Sequence, residues 1–233
     1  MPRGKRPLIS VIVPAHNAAA SLPAALASVQ AAHTEEVPLE LVVVDDGSTD
    51  DTAAVARQAG ARCVSQPNAG AASARNSGVR QARGELLAFI DADDLWAPRR
   101  SLAREAALLH EQAAELCWGL TQLIRCLPEG ESAYARPWRP PLFGSVLVTR
   151  RGFEQVGPLC EQLRDGQGED FEWFARARDR GLKIATMDEV TLHYRIHAAN
   201  LKSHQRQRRN QALFTALRST LQRRLAAAPR NEP

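Results

Sequence analysis

Leu39-Glu-Leu-Val-Val-Val-Asp-Asp-Gly-Ser-Thr-Asp-Asp51 is an apolar, largely β-branched run that stops abruptly in acids and a glycine turn. A short apolar run bounded by turn residues reads as a strand covered on both faces, the pattern of a parallel sheet. Residues 8–13 upstream read the same way. Between the two runs, Ser21 is a candidate N-cap, and Leu22, Ala25, Leu26 and Val29 recur at helical spacing. Downstream, Ser48-Thr-Asp-Asp51 has the serine-x-x-acid form of a capping box and predicts a helix ending near Gly60. A third strand is predicted over 62–65, then a helix over 71–83 stopped by Gly84 at its C′ position. The fourth strand, 85–90, runs into Asp91-Ala-Asp-Asp94. A β-α-β-α-β-α-β order implies an α/β fold, a mostly parallel sheet with helices on both faces.

The second half is less regular. The pattern predicts a helix over 98–112, a strand over 115–124, a proline-rich connection over 128–141 and a strand over 142–149. A turn then leads to Gly166–Gly168, a helix over 169–180 closed by Gly181, and strands over 182–187 and 190–194. Residues 205–228 read as a basic amphipathic helix with Leu213, Phe214, Leu217, Leu221 and Leu225 as its stripe.

At 233 residues and 44% apolar, the chain can bury one sizeable core without disulfide or metal staples. The net charge of +4 is misleading, because eight Lys/Arg against one acid lie from Lys202 onward and the rest is net negative. Nucleic acid is therefore not an expected partner of the main body. No apolar run approaches the roughly 18 residues of a membrane span. Pro14, His16 and Asn17 interrupt the first apolar run before it could serve as a signal-peptide core. Cys63, Cys117, Cys126 and Cys160 lack zinc or redox spacing and read as reduced core thiols. A cytoplasmic location is the expectation. The tail leaves two readings open: a peripheral contact with an anionic bilayer, or a stripe docked on the main body or on a second copy in a homodimer.

Ligands of open parallel sheets bind beyond the carboxyl ends of the strands, and polar clusters fall at those ends here: 14–17, 45–48, 67–76 and 91–94. Neither a G-x-G-x-x-G turn nor a Walker loop follows the first strand. The ends offer carboxylates instead, and carboxylates hold a diphosphate only through an intervening divalent cation, Mn²⁺ or Mg²⁺. Asp91-x-Asp93 alone is a weak signal in a chain with eleven aspartates. Asp45 reads as structural, fixing the turn through backbone N–H groups.

Context strengthens the signal. Ser10-Val-Ile-Val-Pro-Ala-His-Asn17, Val42-Val-Val-Asp-Asp-Gly-Ser-Thr-Asp50, Asn68-Ala-Gly-Ala-Ala-Ser-Ala-Arg-Asn76 and Gly84-Glu-Leu-Leu-Ala-Phe-Ile-Asp-Ala-Asp-Asp94 occur in order. Gly168-Glu-Asp-Phe-Glu-Trp-Phe174 and Tyr194-Arg-Ile-His197 follow. Together they resemble the motifs of family 2 glycosyltransferases with the GT-A fold, across about residues 8–203. The resemblance implies a metal-dependent enzyme moving a sugar from a nucleotide-diphosphate donor to a hydroxyl acceptor, with inversion at C1. The acceptor class stays open among a saccharide, a lipid-linked sugar and a peptide side chain. It implies one domain over 1–204, with 8–97 the nucleotide-binding half and 98–204 the acceptor-side half, plus a tail over 205–233.

The same resemblance implies the site. Pro14 and His16 border the nucleobase, His16 standing where the family more often has tyrosine or phenylalanine, with Asn17 beside it. Asp46 accepts from the base N3–H, which favours a uridine donor. Arg75 reaches base or phosphate. Asp93 meets the metal and diphosphate, with Asp91 near the ribose or metal and His197 completing the shell with Arg195 nearby. Asp170 is the general base, Glu169 its substitute, and Trp173 borders the acceptor. A carboxylate opening a helix is expected to stay ionised. Two other classes remain: a nucleotidyltransferase, which would be expected to carry a glycine-rich basic loop after the first strand, and a non-catalytic sugar-nucleotide-binding module.

Overall fold

The computed structural model describes residues 6–32, 37–127, 130–163 and 168–197. The helix expected over 205–228 lies outside the described residues. The first half follows the predicted alternation: β1 (Ile9–Ala15), α1 (Leu22–Ala32), β2 (Leu39–Asp46), α2 (Thr52–Gln58), β3 (Arg62–Gln66), α3 (Ala71–Gln81) and β4 (Leu86–Phe89). Then come β5 (Leu95–Trp96), α4 (Leu102–Glu111), β6 (Leu116–Leu127), β7 (Gly130–Ala133), β8 (Val146–Thr149), α5 (Arg150–Val156), α6 (Glu169–Asp179) and β9 (Ile184–Ile196). Among the described residues these strands form a nine-stranded sheet in the order β3-β2-β1-β4-β8-β6-β9-β5, with β7 hydrogen-bonded to β6. β1, β2, β3 and β4 are parallel, β8 runs against them, and β6 and β9 are parallel to each other. The carboxyl ends of β1, β2, β4, β6 and β9 therefore point the same way.

All seven residues of β1 are buried, as expected for a strand covered on both faces. Strand periodicity sorts them. Ile9, Val11 and Val13 pack with Leu22, Leu26 and Val29 of α1, whereas Ile12 joins Phe89, Phe143 and Trp173 on the other side. No described helix is long and apolar enough to cross a membrane.

Several local expectations are corrected. The Ser48–Asp51 capping box does not form: Asp51 occupies the N-cap of α2 with no side-chain bond. The Ser48 hydroxyl instead accepts the Asn17 N–H, and Asp50 accepts from Thr52 and from the Ala19 N–H. The proline-rich stretch contains β7, whose Gly130 pairs with Leu127 in a hairpin. Only Val146–Thr149 of the stretch expected over 142–149 is a strand, since Phe143–Ser145 make a 3-10 turn. The two last strands are one, β9, with register shifts opposite 118–121 of β6. Where only a turn was expected ahead of Gly166–Gly168 there is a helix, α5, capped by Thr149, whose hydroxyl accepts the Gly152 N–H. All four cysteines are free, but only Cys117 is buried, its thiol pushed up to about 12 by burial.

Gly84 matters for a different reason from the one its position suggested. Its φ is not positive, and α3 ends at an extended Ala82. A Cβ at Gly84 would stand 2.6 Å from the Ser10 hydroxyl and 2.7 Å from the Leu8 carbonyl oxygen. The glycine lets the chain cross close to β1, where its N–H donates to Ser10 Oγ at 2.8 Å. Overpacking against backbone typically costs about 1–3 kcal/mol. Gly84→Ala is expected to lower the thermal midpoint by about 2–4 °C per kcal/mol lost. Scanning calorimetry checks this, and an unchanged midpoint would show that β1 yields freely.

Candidate functional site

The carboxyl ends of β1 and β2 form one wall. Pro14 is buried in β1, and His16 and Asn17 emerge from its end. His16 Nδ1 lies 2.9 Å from the Asp46 carbonyl oxygen and so donates to it, which orients the ring. Asn17 has φ +49 and accepts the Thr49 N–H through Oδ1 at 2.8 Å, tying the two strand ends together. Asp45 accepts the Ser48 N–H at 3.1 Å, the turn-fixing role expected of it. Asp46 is 4% exposed. Its Oδ1 accepts from Gln66 Nε2 and the Ala69 N–H, and its Oδ2 accepts the Gly70 N–H at 2.8 Å. The sequence carried no hint of these bonds, which hold the loop ahead of α3.

The acidic turn after β4 forms a second wall. Asp94 is buried and accepts the Arg195 N–H at 2.8 Å, fixing the turn to β9. This places His197 Nε2 3.2 Å from Asp93 Oδ2, with both side chains partly open. Burial, then the neighbouring Asp91 charge, raises the Asp93 carboxyl, and His197 draws it back. Asp94 is raised further by burial and by Asp91 and Asp93. Carboxylates held above their ordinary range form a field that favours a cation. Among the described residues no group of three His, Cys, Asp or Glu forms a ready cage. Magnesium-type ions need only one or two carboxylates when substrate phosphates and water complete the shell. The Asp93–His197 pair fits such an ion, whereas Asp91 Oδ1 is engaged by Arg75 at 2.6 Å.

The third wall is the start of α6. Gly168, at φ +116, occupies its N-cap, a backbone region open to glycine. Asp170 is 8% exposed, and its Oδ2 accepts the Phe143 N–H at 3.1 Å. Its Oδ1 lies 3.5 Å from Arg75, whose guanidinium also meets Glu169 at 3.0 Å. Burial dominates the Asp170 carboxyl and pushes it up to about 7, with Arg75 opposing and Glu169 and Asp91 adding to the rise. This corrects the expectation that a helix-start carboxylate stays readily ionised. Here desolvation outweighs the helix field. Burial works against the Arg75 charge too, but Asp91, Asp170 and Glu169 outweigh it.

These walls enclose a cavity of about 670 Å³. It brings together Pro14, His16, Asn17, Asp46, Arg75, Asp91, Asp93, Glu169, Asp170 and His197. Two expected residues stay outside it. Trp173 is fully buried, donates to the Gly157 carbonyl and packs on Phe143 and Phe153. Two residues along a helix turn by about 200°, so Phe171, 47% exposed, faces the cavity that Trp173 turns from. The Arg195 side chain pairs with Glu131 of β7 at 2.7 Å. Sequence reading missed Phe171, Tyr194 and Leu142 as lining residues. Tyr194 stood inside a quoted motif, the one signal that pointed to it.

A family model for glycosyl transferase family 2 matches residues 10–131. The chain is 27% identical over 205 residues to glycosyltransferase AglE of Haloferax volcanii, covering 79% of this chain and 66% of that protein. It is 30% identical over a 246-position alignment to validoxylamine A glucosyltransferase of Streptomyces hygroscopicus subsp. jinggangensis, covering 84% and 58% respectively. It thus spans somewhat under two thirds of those relatives' length. Mannosyltransferase PcManGT of Pyrobaculum calidifontis, solved with GDP-Man and Mn²⁺, superposes at TM-score 0.72, with 22% identity, over 94% of this chain and 65% of that one. S. aureus TarS 1-349 with UDP-GlcNAc superposes at 0.66, with 20% identity, over 81% and 58%. At such identities the likeness is one of fold, and that fold is GT-A. With more than half its length matched by the family model and its sheet laid out as in those enzymes, the chain belongs to glycosyl transferase family 2.

Proposed function

We propose that the cavity binds a nucleoside-diphosphate sugar and that the protein transfers the sugar to a hydroxyl acceptor with inversion at C1. One observation carries the reading: a buried carboxylate, Asp170, faces the same cavity as the polar ends of β1 and β2 and the Asp93–His197 pair. The names of relatives support it, one being a glucosyltransferase and two solved neighbours holding sugar nucleotides. In the proposed reaction the acceptor O–H gives its proton to Asp170 as its oxygen forms a bond to C1. The C1–O bond to the diphosphate breaks, and the nucleoside diphosphate leaves with the electron pair. A general base in this position works best with a pKa near the working pH. Asp93 and His197 would hold a divalent cation, Mn²⁺ or Mg²⁺, which when bound supplies Lewis-acid charge to the departing diphosphate. Asp91, tied through Oδ1 to Arg75, keeps its other oxygen for a ribose hydroxyl.

Recognition of the nucleobase is assigned to Asp46, whose Oδ2 accepts only the Gly70 N–H among the bonds described. Accepting an N3–H there selects uracil or thymine over cytosine. Hydrogen bonds to a charged group are worth about 1.5–3 kcal/mol. UDP is therefore expected to bind about tenfold or more tightly than CDP, whose base lacks that N3–H, measured by calorimetry with Mn²⁺ present. CDP binding equally well would overturn the assignment. Asp46→Asn is the variant to use, because Asp46→Ala also strips two backbone N–H groups of their acceptor.

The reading as a whole is tested by offering UDP-, GDP- and TDP-sugars with Mn²⁺ and following release of the nucleoside diphosphate without acceptor. Slow metal-dependent hydrolysis of one donor class is the expected result. Tight nucleotide binding with no turnover, with or without saccharide acceptors, would identify a binding module instead.

A further inference from the structure

Arg75 lies on α3, yet its guanidinium contacts neither α3 carbonyls nor solvent: it is 4% exposed. One nitrogen, Nη2, donates to Asp91 Oδ1 at 2.6 Å, at the end of β4. The other, Nη1, donates to Glu169 Oε1 at 3.0 Å and stands 3.5 Å from Asp170 Oδ1. Glu169 Oε2 and Asp170 Oδ1 are both buried and make no hydrogen bond. Three elements that are distant in sequence thus meet on one cation, which three carboxylates share.

That arrangement leaves little of the cation for a donor phosphate. Both terminal nitrogens are committed to carboxylates, and Nε is buried with no partner. We infer that Arg75 is a positioning residue for the transfer, a buried fork that holds the Asp170 carboxylate in register with Asp91 on the donor side. The inference rests on the reading of Asp170 as the base. Glu169 then serves as the second anchor that keeps the guanidinium turned toward α6. A planar guanidinium can bond in two directions at once, whereas an ammonium is a point charge on a flexible stem. The charge alone is therefore insufficient, and lysine is not a conservative replacement here.

The test is a double-mutant cycle on transfer rate, with Arg75→Lys, Asp170→Asn and the pair. Misplacing a catalytic group by about 1 Å can cost on the order of 10²-fold. Arg75→Lys is expected to lower kcat by about that factor while the donor KM changes less than about threefold. In the Asp170→Asn background the same change should cost little more, because a positioning residue has nothing left to position. Additive losses with a raised donor KM would overturn the inference and return Arg75 to the donor phosphate. Should Asp170→Asn alone lose less than tenfold, the base reading fails first, independently of the cycle. Arg75→Gln serves as a second variant. If neither variant folds by near-ultraviolet dichroism, Arg75 is a determinant of stability and the inference is overturned.

Discussion

Asp170→Asn is expected to reduce sugar transfer by about 10²–10⁴-fold, the usual contribution of a general base, while leaving donor binding within a few-fold of wild type. The asparagine keeps the size of the side chain and still presents an oxygen to the Phe143 N–H, so the geometry at the start of α6 is retained. Only the capacity to take a proton is lost. The pH profile gives a second reading. The wild-type Asp170 carboxyl is pushed up to about 7, chiefly by burial, so kcat/KM should rise with pH through that value as the base ionises. The variant should lack that limb. Stability runs the other way. A folded-state value above the ordinary 3.8 means that the stabilising contribution of the neutral carboxyl is complete below about pH 4 and is lost as pH rises through about 7. The protein then gains its base where it loses that stability. A loss of less than tenfold, with Glu169→Gln causing the larger one, would move the role to Glu169. A product that retains the donor's anomeric configuration would overturn the single displacement.

The second large effect is expected at Asp93. Asp93→Ala should abolish the strengthening of UDP binding by Mn²⁺ while leaving metal-free nucleotide binding nearly intact. It should also lower kcat/KM by about 10²-fold or more, since Lewis-acid stabilisation of a leaving diphosphate is worth several kcal/mol. His197→Ala should cost less, because a hard cation of this kind relies on carboxylate oxygen more than on an imidazole nitrogen, and Asp93 would remain. Calorimetry with and without Mn²⁺ separates the binding effect from the rate effect. Full activity of the wild type in excess chelator would overturn the assignment of this pair to a cation. The field supports the expectation: Asp93 and Asp94 are both raised by burial and by neighbouring carboxylate charge. A cation entering beside Asp93 relieves that repulsion.

Much of this protein is legible in its sequence. Apolar runs covered on both faces, separated by helical patterns, identify the parallel half, because strand and helix periods are local properties of side-chain placement. The polar residues that end those runs follow from the same reading, since a parallel sheet gathers its carboxyl ends on one side. His16, Asp46, Asp91 and Asp93 stand at those ends, Asp170 was named only through the family resemblance, and the cavity brings all five together. The structural role of Asp45 was also readable, because a turn-fixing bond spans only three residues.

What the pattern could not supply is orientation and partnership across long separations. Arg75 and Glu169 are 94 residues apart, and no local rule says that a helix arginine turns from solvent toward α6. Trp173 and Phe171 are both aromatic at a helix start, and only the packing of Phe143 and Phe153 decides which one is buried. Gly84 looked like a helix terminator, yet its missing side chain serves the close passage beside Ser10. Asp170, at a helix start, was expected to stay ionised, and burial beneath the cavity raises it to about 7. In each case the residue type was visible in the chain. Its role depended on desolvation and on contacts between distant segments, which exist only once the sheet has closed those segments around one cavity.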